Sequence, residues 1–188
     1  MKNTVLRFFL FIGTIMYCNQ AGAEIKSFTH TYDTPVDTTL SANIPDVTAL
    51  LQEVLAVTGL QQNFEIKAAD VLNLEASIVH KKRFILYNPD FIDKINKVAR
   101  NKWAAEALIA HEVGHHLNGH ILRKTGSNIA DELEADEFAG FVLQKLGATL
   151  QQAQYVMLLI AKKEDSKTHP AQASRLEAIK KGWEKANP

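Results

Sequence analysis

The stretch ALIAHEVGHHLNGH, residues 107–120, constrains the fold of this chain more than any other. Apolar residues between Ala104 and Ala110, interrupted only by Glu106, run directly into His111, Glu112, His115, His116 and His120. A helix this apolar belongs in a core, where each polar group without a partner costs about 1–3 kcal/mol. Any fold that encloses it must therefore supply partners for its histidines. On an α-helix, residues four apart project from nearly one face, so His111 and His115 lie side by side. Two imidazoles so placed can hold one Zn²⁺. Glu112, displaced around the helix, can reach a water on that metal without ligating it, which is the placement of a general base. His116 and His120 repeat the four-residue spacing without a glutamate after the first histidine. A surface or supporting role suits that second pair better than metal binding.

Zinc held by two histidines takes a third protein ligand and keeps one position open for water. DELEAD, residues 131–136, offers Glu132 and Asp136 four apart on the following helix. Alone, these residues read as an acidic first turn that complements the helix dipole. Beside the upstream histidine pair, Glu132 reads as a ligand. Asp136 then reads as the acceptor that fixes the tautomer of a ligating histidine. Glu134 is a competing ligand. The short stretch between His115 and Glu132 requires the first helix to end soon after Gly119, with a looping connection to Ser127.

The first 23 residues differ in kind from the rest. Lys2 and Arg7 precede the apolar run FFLFIGTIMYC, and AGA follows before Glu24. That order describes a secretory signal peptide cleaved after Ala23. The apolar run is shorter than the roughly 20 residues a transmembrane helix needs. Cleavage removes Cys18, the one cysteine, so neither disulfides nor thiolate ligands enter the mature chain. Removing Lys2 and Arg7 from a chain with 21 basic and 21 acidic residues leaves a charge of −2. The clustered basic charge of a nucleic-acid-binding protein is missing. The expected product is periplasmic or secreted, with no transmembrane segment after signal removal.

Residues 24–46, polar and broken by Pro35 and Pro45, read as an extended leader, and 47–188 as one domain. DVTALLQEVLAVTGL has helical apolar spacing, with Asp46 as N-cap and Gly59 as stop. NFEIKAAD (63–70) alternates as a strand, and EASIVHKKRFILYN (75–88) as two strands around His80–Lys82. Pro89 opens a helix, and the histidine-bearing helix starts near Lys102. Three more helices are expected over 127–146, from Thr149 and from Pro170 to about Lys185. The fold class is α+β: a small N-terminal sheet followed by helices.

HEVGHH followed by ELEAD resembles the gluzincin metallopeptidases that include the CAAX prenyl endopeptidases and HtpX-like heat-shock proteases. The resemblance covers about residues 47–186, although its specific part is short. It implies a helical zincin-like core and one Zn²⁺ per chain on His111, His115 and Glu132. It further implies Glu112 as general base and Asp136 as the supporting aspartate, and it disfavours Glu134 as a ligand. RFILYNP resembles the strand and turn before the active helix, where an edge strand aligns an extended substrate. That implies peptide binding along Phe84, Ile85, Leu86, Tyr87 and Asn88. THPAQASRLEAI resembles a C-terminal His-Pro…Arg motif. It brings in His169, either catalytic or a residue near the helix cap, and Arg175, either steadying an oxyanion or covering a helix surface. The membrane-bound members surround the site with transmembrane segments, which this sequence lacks after its signal.

The resulting expectation is an exported zinc endopeptidase acting on unfolded or extended polypeptide. The alternative is a non-catalytic, zinc-stabilised binding or chaperone-like protein, motivated by the small size of the domain. The sequence does not fix the oligomeric state.

Overall fold

The computed structural model describes residues 6–7, 46–122 and 128–186. Apart from Leu6, Arg7 and Asp46, the expected signal and leader lie outside the described residues, as does Ser127. The elements, in order, are β1 (Leu6–Arg7), α1 (Val47–Thr58), β2 (Glu65–Ala68), β3 (Leu74–Val79), β4 (Lys82–Tyr87), α2 (Pro89–Ala99) and α3 (Trp103–Leu117). A 3₁₀ turn (His120–Leu122), α4 (Ile129–Lys145), α5 (Leu150–Ile160) and α6 (Gln172–Ala186) complete the chain. Strands β2–β4 lie between α1 and the remaining helices and form a small sheet with β1, so the fold is α+β. Among the described residues no helix is long and apolar enough to cross a membrane.

Strands β3 and β4 form an antiparallel hairpin closed at Val79 and Lys82. His80 and Lys81 make its two-residue turn with φ of 50° and 67°. Positive φ at both central residues matches the right-handed strand twist, which is why such turns usually carry glycine or asparagine. Here a histidine and a lysine take those angles, at a cost on the order of 1 kcal/mol each. Strand β2 runs parallel to β4, with Ile66 opposite Ile85, and the sheet order is β1-β3-β4-β2.

That order corrects the expected substrate strand. Phe84–Tyr87 lies in the middle of the sheet, with β3 bonded on one side and β2 on the other. Asn88 is occupied too, its N–H donating to Asn73 O at 2.7 Å and its side chain capping α2 at Phe91 N–H. A paired strand has no backbone groups left for a peptide. The two-residue β1 pairs antiparallel with the outer side of β3, with Leu6 in register with Ile78 and Arg7 with Ser77.

Helix α3 runs through the centre, buried from Ala104 to His116 and packed by α1, α2, α4, α5 and β3. Leu108, Ile109 and Val113 join Leu50, Leu51, Leu143 and Met157 in one continuous core. Local signals place the surrounding helices. Gly59 (φ 69°) ends α1 in the left-handed conformation, Pro89 occupies the first turn of α2, and Thr149 with Gln152 forms a capping box on α5. Helices α4 and α6 approach so closely that a Cβ on Gly182 would sit 1.8 Å from Glu137 O. One on Gly140 would sit 2.0 Å from Ile179 O.

Glu106 is the carboxylate buried in the first turn of α3, with Lys102 Nζ 3.3 Å from its Oε2. Burial, only partly offset by Lys102, pushes its carboxyl up to about 7. The folded state therefore holds this proton more tightly than the unfolded chain. The associated stability is fully present below about pH 4.5 and is lost as pH rises through about 7. Glu106→Gln should match the wild-type melting temperature near pH 4.5 and exceed it above pH 7. The gain is about 2–4 °C for each kcal/mol released. Thermal scans across that range check it, and equal melting temperatures at pH 8 would contradict it.

Candidate metal centre

Helix α3 brings His111 and His115 to one face, with their Nε2 atoms 3.0 Å apart. Helix α4 crosses that face and adds Glu132, whose Oε2 lies 3.5 Å from His111 Nε2 and whose Oε1 lies 3.5 Å from His115 Nε2. All three side chains are buried, and together they form a group able to hold a metal ion. The crossing depends on Gly114, inside the HEVGHH stretch. A Cβ there would meet Ala135 Cα and Phe138 Cδ1 at 3.2 Å, so α4 passes close against α3 beside the histidines.

The outer nitrogens of the two imidazoles are held differently. His111 Nδ1 donates to Asp136 Oδ1 at 2.9 Å. Asp136 is itself gripped by Arg175, whose Nε and one terminal nitrogen donate to its two oxygens at 2.7 Å each. Such a two-pronged guanidinium–carboxylate contact fixes both position and plane. His115 Nδ1 lies 2.9 Å from His120 Nδ1, and His120 Nε2 lies 2.9 Å from Glu134 Oε2.

The electrostatics describe a place for positive charge. Burial opposes ionisation of Glu132, but hydrogen bonds and charge from His111 and His115 hold its carboxyl well below the usual carboxylate range. Asp136 is likewise lowered against burial by Arg175 and His111. Burial would lower His111, yet Asp136 and Glu132 together push it up to about 10. Glu112, buried beside the pair, is raised chiefly by desolvation, and its Oε2 accepts the Ala76 N–H at 2.7 Å.

Asp136 thus lies where the sequence places it, against a histidine of the pair. Glu134, the competing ligand, does not converge on His111 and His115; its carboxylate lies with His120 and Asp131. Arg175 is buried against Asp136, so it does not cover a helix surface, and its Nη2 also lies 3.8 Å from Glu132 Oε2. His169 reaches the site: its Nε2 is 4.0 Å from Glu132 Oε2. That nitrogen is buried without a hydrogen-bond partner among the described residues, while Nδ1 contacts Thr168 Oγ1 at 2.8 Å.

His116 and His120 are not a pair. Helix α3 ends at Leu117 and Gly119 turns with φ 67°, so the two rings part company. His116 stacks on Phe64 with ring centroids 4.7 Å apart, and its Nε2 donates to Phe84 O at 2.9 Å. It ties α3 to β4, and burial lowers it to about 4, keeping the ring neutral. His120, swung back by the 3₁₀ turn, meets His115. The sequence shows these histidines but not their directions, because the helical phase is lost at Gly119.

Comparison with known proteins adds no relative: no family model, curated protein or solved structure matches this chain.

Proposed function

We propose that the protein is an exported zinc endopeptidase of zincin-like architecture, acting on extended or unfolded polypeptide. One observation carries the reading: two imidazole nitrogens and a carboxylate converge 3.0–3.5 Å from one another beside a glutamate. Tetrahedral ligands at about 2.0–2.1 Å from zinc stand about 3.3–3.4 Å apart, so the donors already lie close to the edges of that tetrahedron. Because His111 donates from Nδ1, its Nε2 offers a lone pair to the centre. A mixed nitrogen and oxygen set suits zinc better than magnesium or calcium, which prefer oxygen shells. Zinc held there would supply the Lewis acidity that activates water and polarises a carbonyl.

The remaining work falls to side chains. Glu112 would take the proton of the attacking water and pass it to the departing amine. His169 Nδ1 lies 2.8 Å from Thr168 Oγ1, and with that hydroxyl as the donor a neutral imidazole would carry its proton on Nε2, on the side of the centre. His169 is then the donor for the developing oxyanion. Arg175 acts through Asp136 by holding the acceptor of His111.

The extended substrate belongs on β3. Ala76 donates its N–H to Glu112, so the outer edge of β3 faces the base. Signal cleavage after Ala23 would remove β1 and free that edge for a peptide to add as a strand. Recognition through backbone groups favours unfolded over folded substrates.

Metal dependence is the test. Purified mature protein incubated with unfolded casein should produce fragments, stop with a zinc chelator and resume when zinc is restored. Tight casein binding without fragments would instead favour the non-catalytic binding protein.

A further inference from the structure

The contact between His115 and His120 is used by none of the roles above. We propose that His120 is a positioning residue that fixes the tautomer and direction of the His115 ring through a His115–His120–carboxylate chain. The inference rests on the reading of His115 as a metal ligand.

The two rings of the centre are supported unequally. His111 leans directly on a carboxylate, Asp136. His115 leans on another imidazole, 2.9 Å from Nδ1 to Nδ1, and the carboxylate comes one step later as Glu134 at 2.9 Å from His120 Nε2. Asp131 Oδ1 lies 3.8 Å from the same nitrogen. Proton counting gives the chain a direction. A neutral His115 that offers Nε2 to a metal carries its proton on Nδ1 and must donate it. His120 Nδ1 must therefore accept. A neutral His120 then carries its proton on Nε2, facing two carboxylates that can only accept. Every atom in the chain is satisfied in one arrangement.

The backbone is shaped for it. Gly119, at φ 67°, stops α3, and the 3₁₀ turn brings His120 back under His115, where it is fully buried. Asn128 caps α4 by accepting Asp131 N–H at 3.1 Å and donates to Asp131 Oδ2 at 2.8 Å, setting that carboxylate against the ring.

His120, Asp131 and Glu134 also converge closely enough to resemble a second metal group. The contact with His115 argues against it. A cation on His120 Nε2 would move the proton of that ring to Nδ1, head to head with the Nδ1–H of a metal-bound His115 at 2.9 Å. One metal per chain and a relay at His120 are mutually consistent; two metals on two neutral imidazoles are not.

The experiment is ring ¹⁵N NMR on the zinc-loaded wild type, with zinc affinity measured by chelator competition in two variants. Protonated His115 Nδ1, bare His120 Nδ1 and protonated His120 Nε2 are expected. In His120→Asn the amide oxygen takes the place of Nδ1 as acceptor, so affinity should stay within a few-fold of wild type. In His120→Leu the acceptor is lost, and affinity should fall about 10–100-fold, the usual effect of removing a support behind a metal-bound histidine. A proton on His120 Nδ1 overturns the proposal. So does a second zinc equivalent in the wild type, or a folded His120→Leu with wild-type affinity. Should the leucine variant fail to fold, the wild-type spectrum and the asparagine variant still decide. A wild type that takes up no zinc at all fails the metal reading itself, and this inference with it.

Discussion

Glu112→Gln is expected to lower kcat on a peptide substrate by about 10²–10⁴-fold while leaving zinc content and melting temperature close to wild type. The expected separation follows from geometry. Glu112 is buried, and its Oε2 accepts the N–H of Ala76 at 2.7 Å. A glutamine oxygen can accept the same bond, so β3 stays docked on α3. What glutamine cannot do is take a proton from water. KM should change little, because the carboxylate is needed in the transition state and not for holding the peptide. Steady-state kinetics beside metal analysis of the same preparation check this, and undiminished cleavage by a zinc-loaded variant would remove Glu112 from the chemistry.

Gly182→Ala should produce the largest loss of stability. The added methyl would lie 1.8 Å from Glu137 O and 2.9 Å from Phe141 N, both backbone atoms of α4. No rotamer change can relieve such a clash, so α6 must move away. Overpacking costs about 1–3 kcal/mol even where side chains can adjust, against a total stability of about 5–15 kcal/mol. A fall in melting temperature of roughly 6–12 °C corresponds to about 3 kcal/mol in a chain of this size. The damage should spread to the metal site, because α6 carries Arg175, whose grip on Asp136 sets the His111 ring. Zinc affinity should therefore fall in the fraction that still folds. An unchanged melting temperature would show that α4 and α6 separate more easily than their packing implies.

Much of the architecture is legible in the sequence because local signals agree with the global fold. Helix α3 is recognisable because an apolar run with helical spacing has nowhere to go but the core. The turn at His80 and Lys81 is readable from two alternating segments on either side, although neither residue is a usual occupant of positive φ. The histidine pair follows from the four-residue period, whereas Glu132 and Asp136 become legible only beside that pair, and the choice of Glu132 over Glu134 comes from the family resemblance. Sheet order is another matter. RFILY alternates as an edge strand would, and nothing in those residues reveals that β2, two strands earlier, returns parallel on its far side. Such pairing is set by long-range contacts. Arg175 shows a second limit: its sequence neighbours suggest a surface helix, but the close approach at Gly140 and Gly182 buries it. His120 shows a third, since a left-handed residue at Gly119 resets the direction of everything after it.

The central claim is that His111, His115 and Glu132 hold one zinc ion. It is tested most directly by counting metal in mature protein purified without any metal-affinity resin, alongside a His111→Ala, His115→Ala double variant. The account predicts close to one zinc per wild-type chain and almost none in the variant. Less than a few tenths of a zinc per wild-type chain, or equal zinc in the folded double variant, would contradict it.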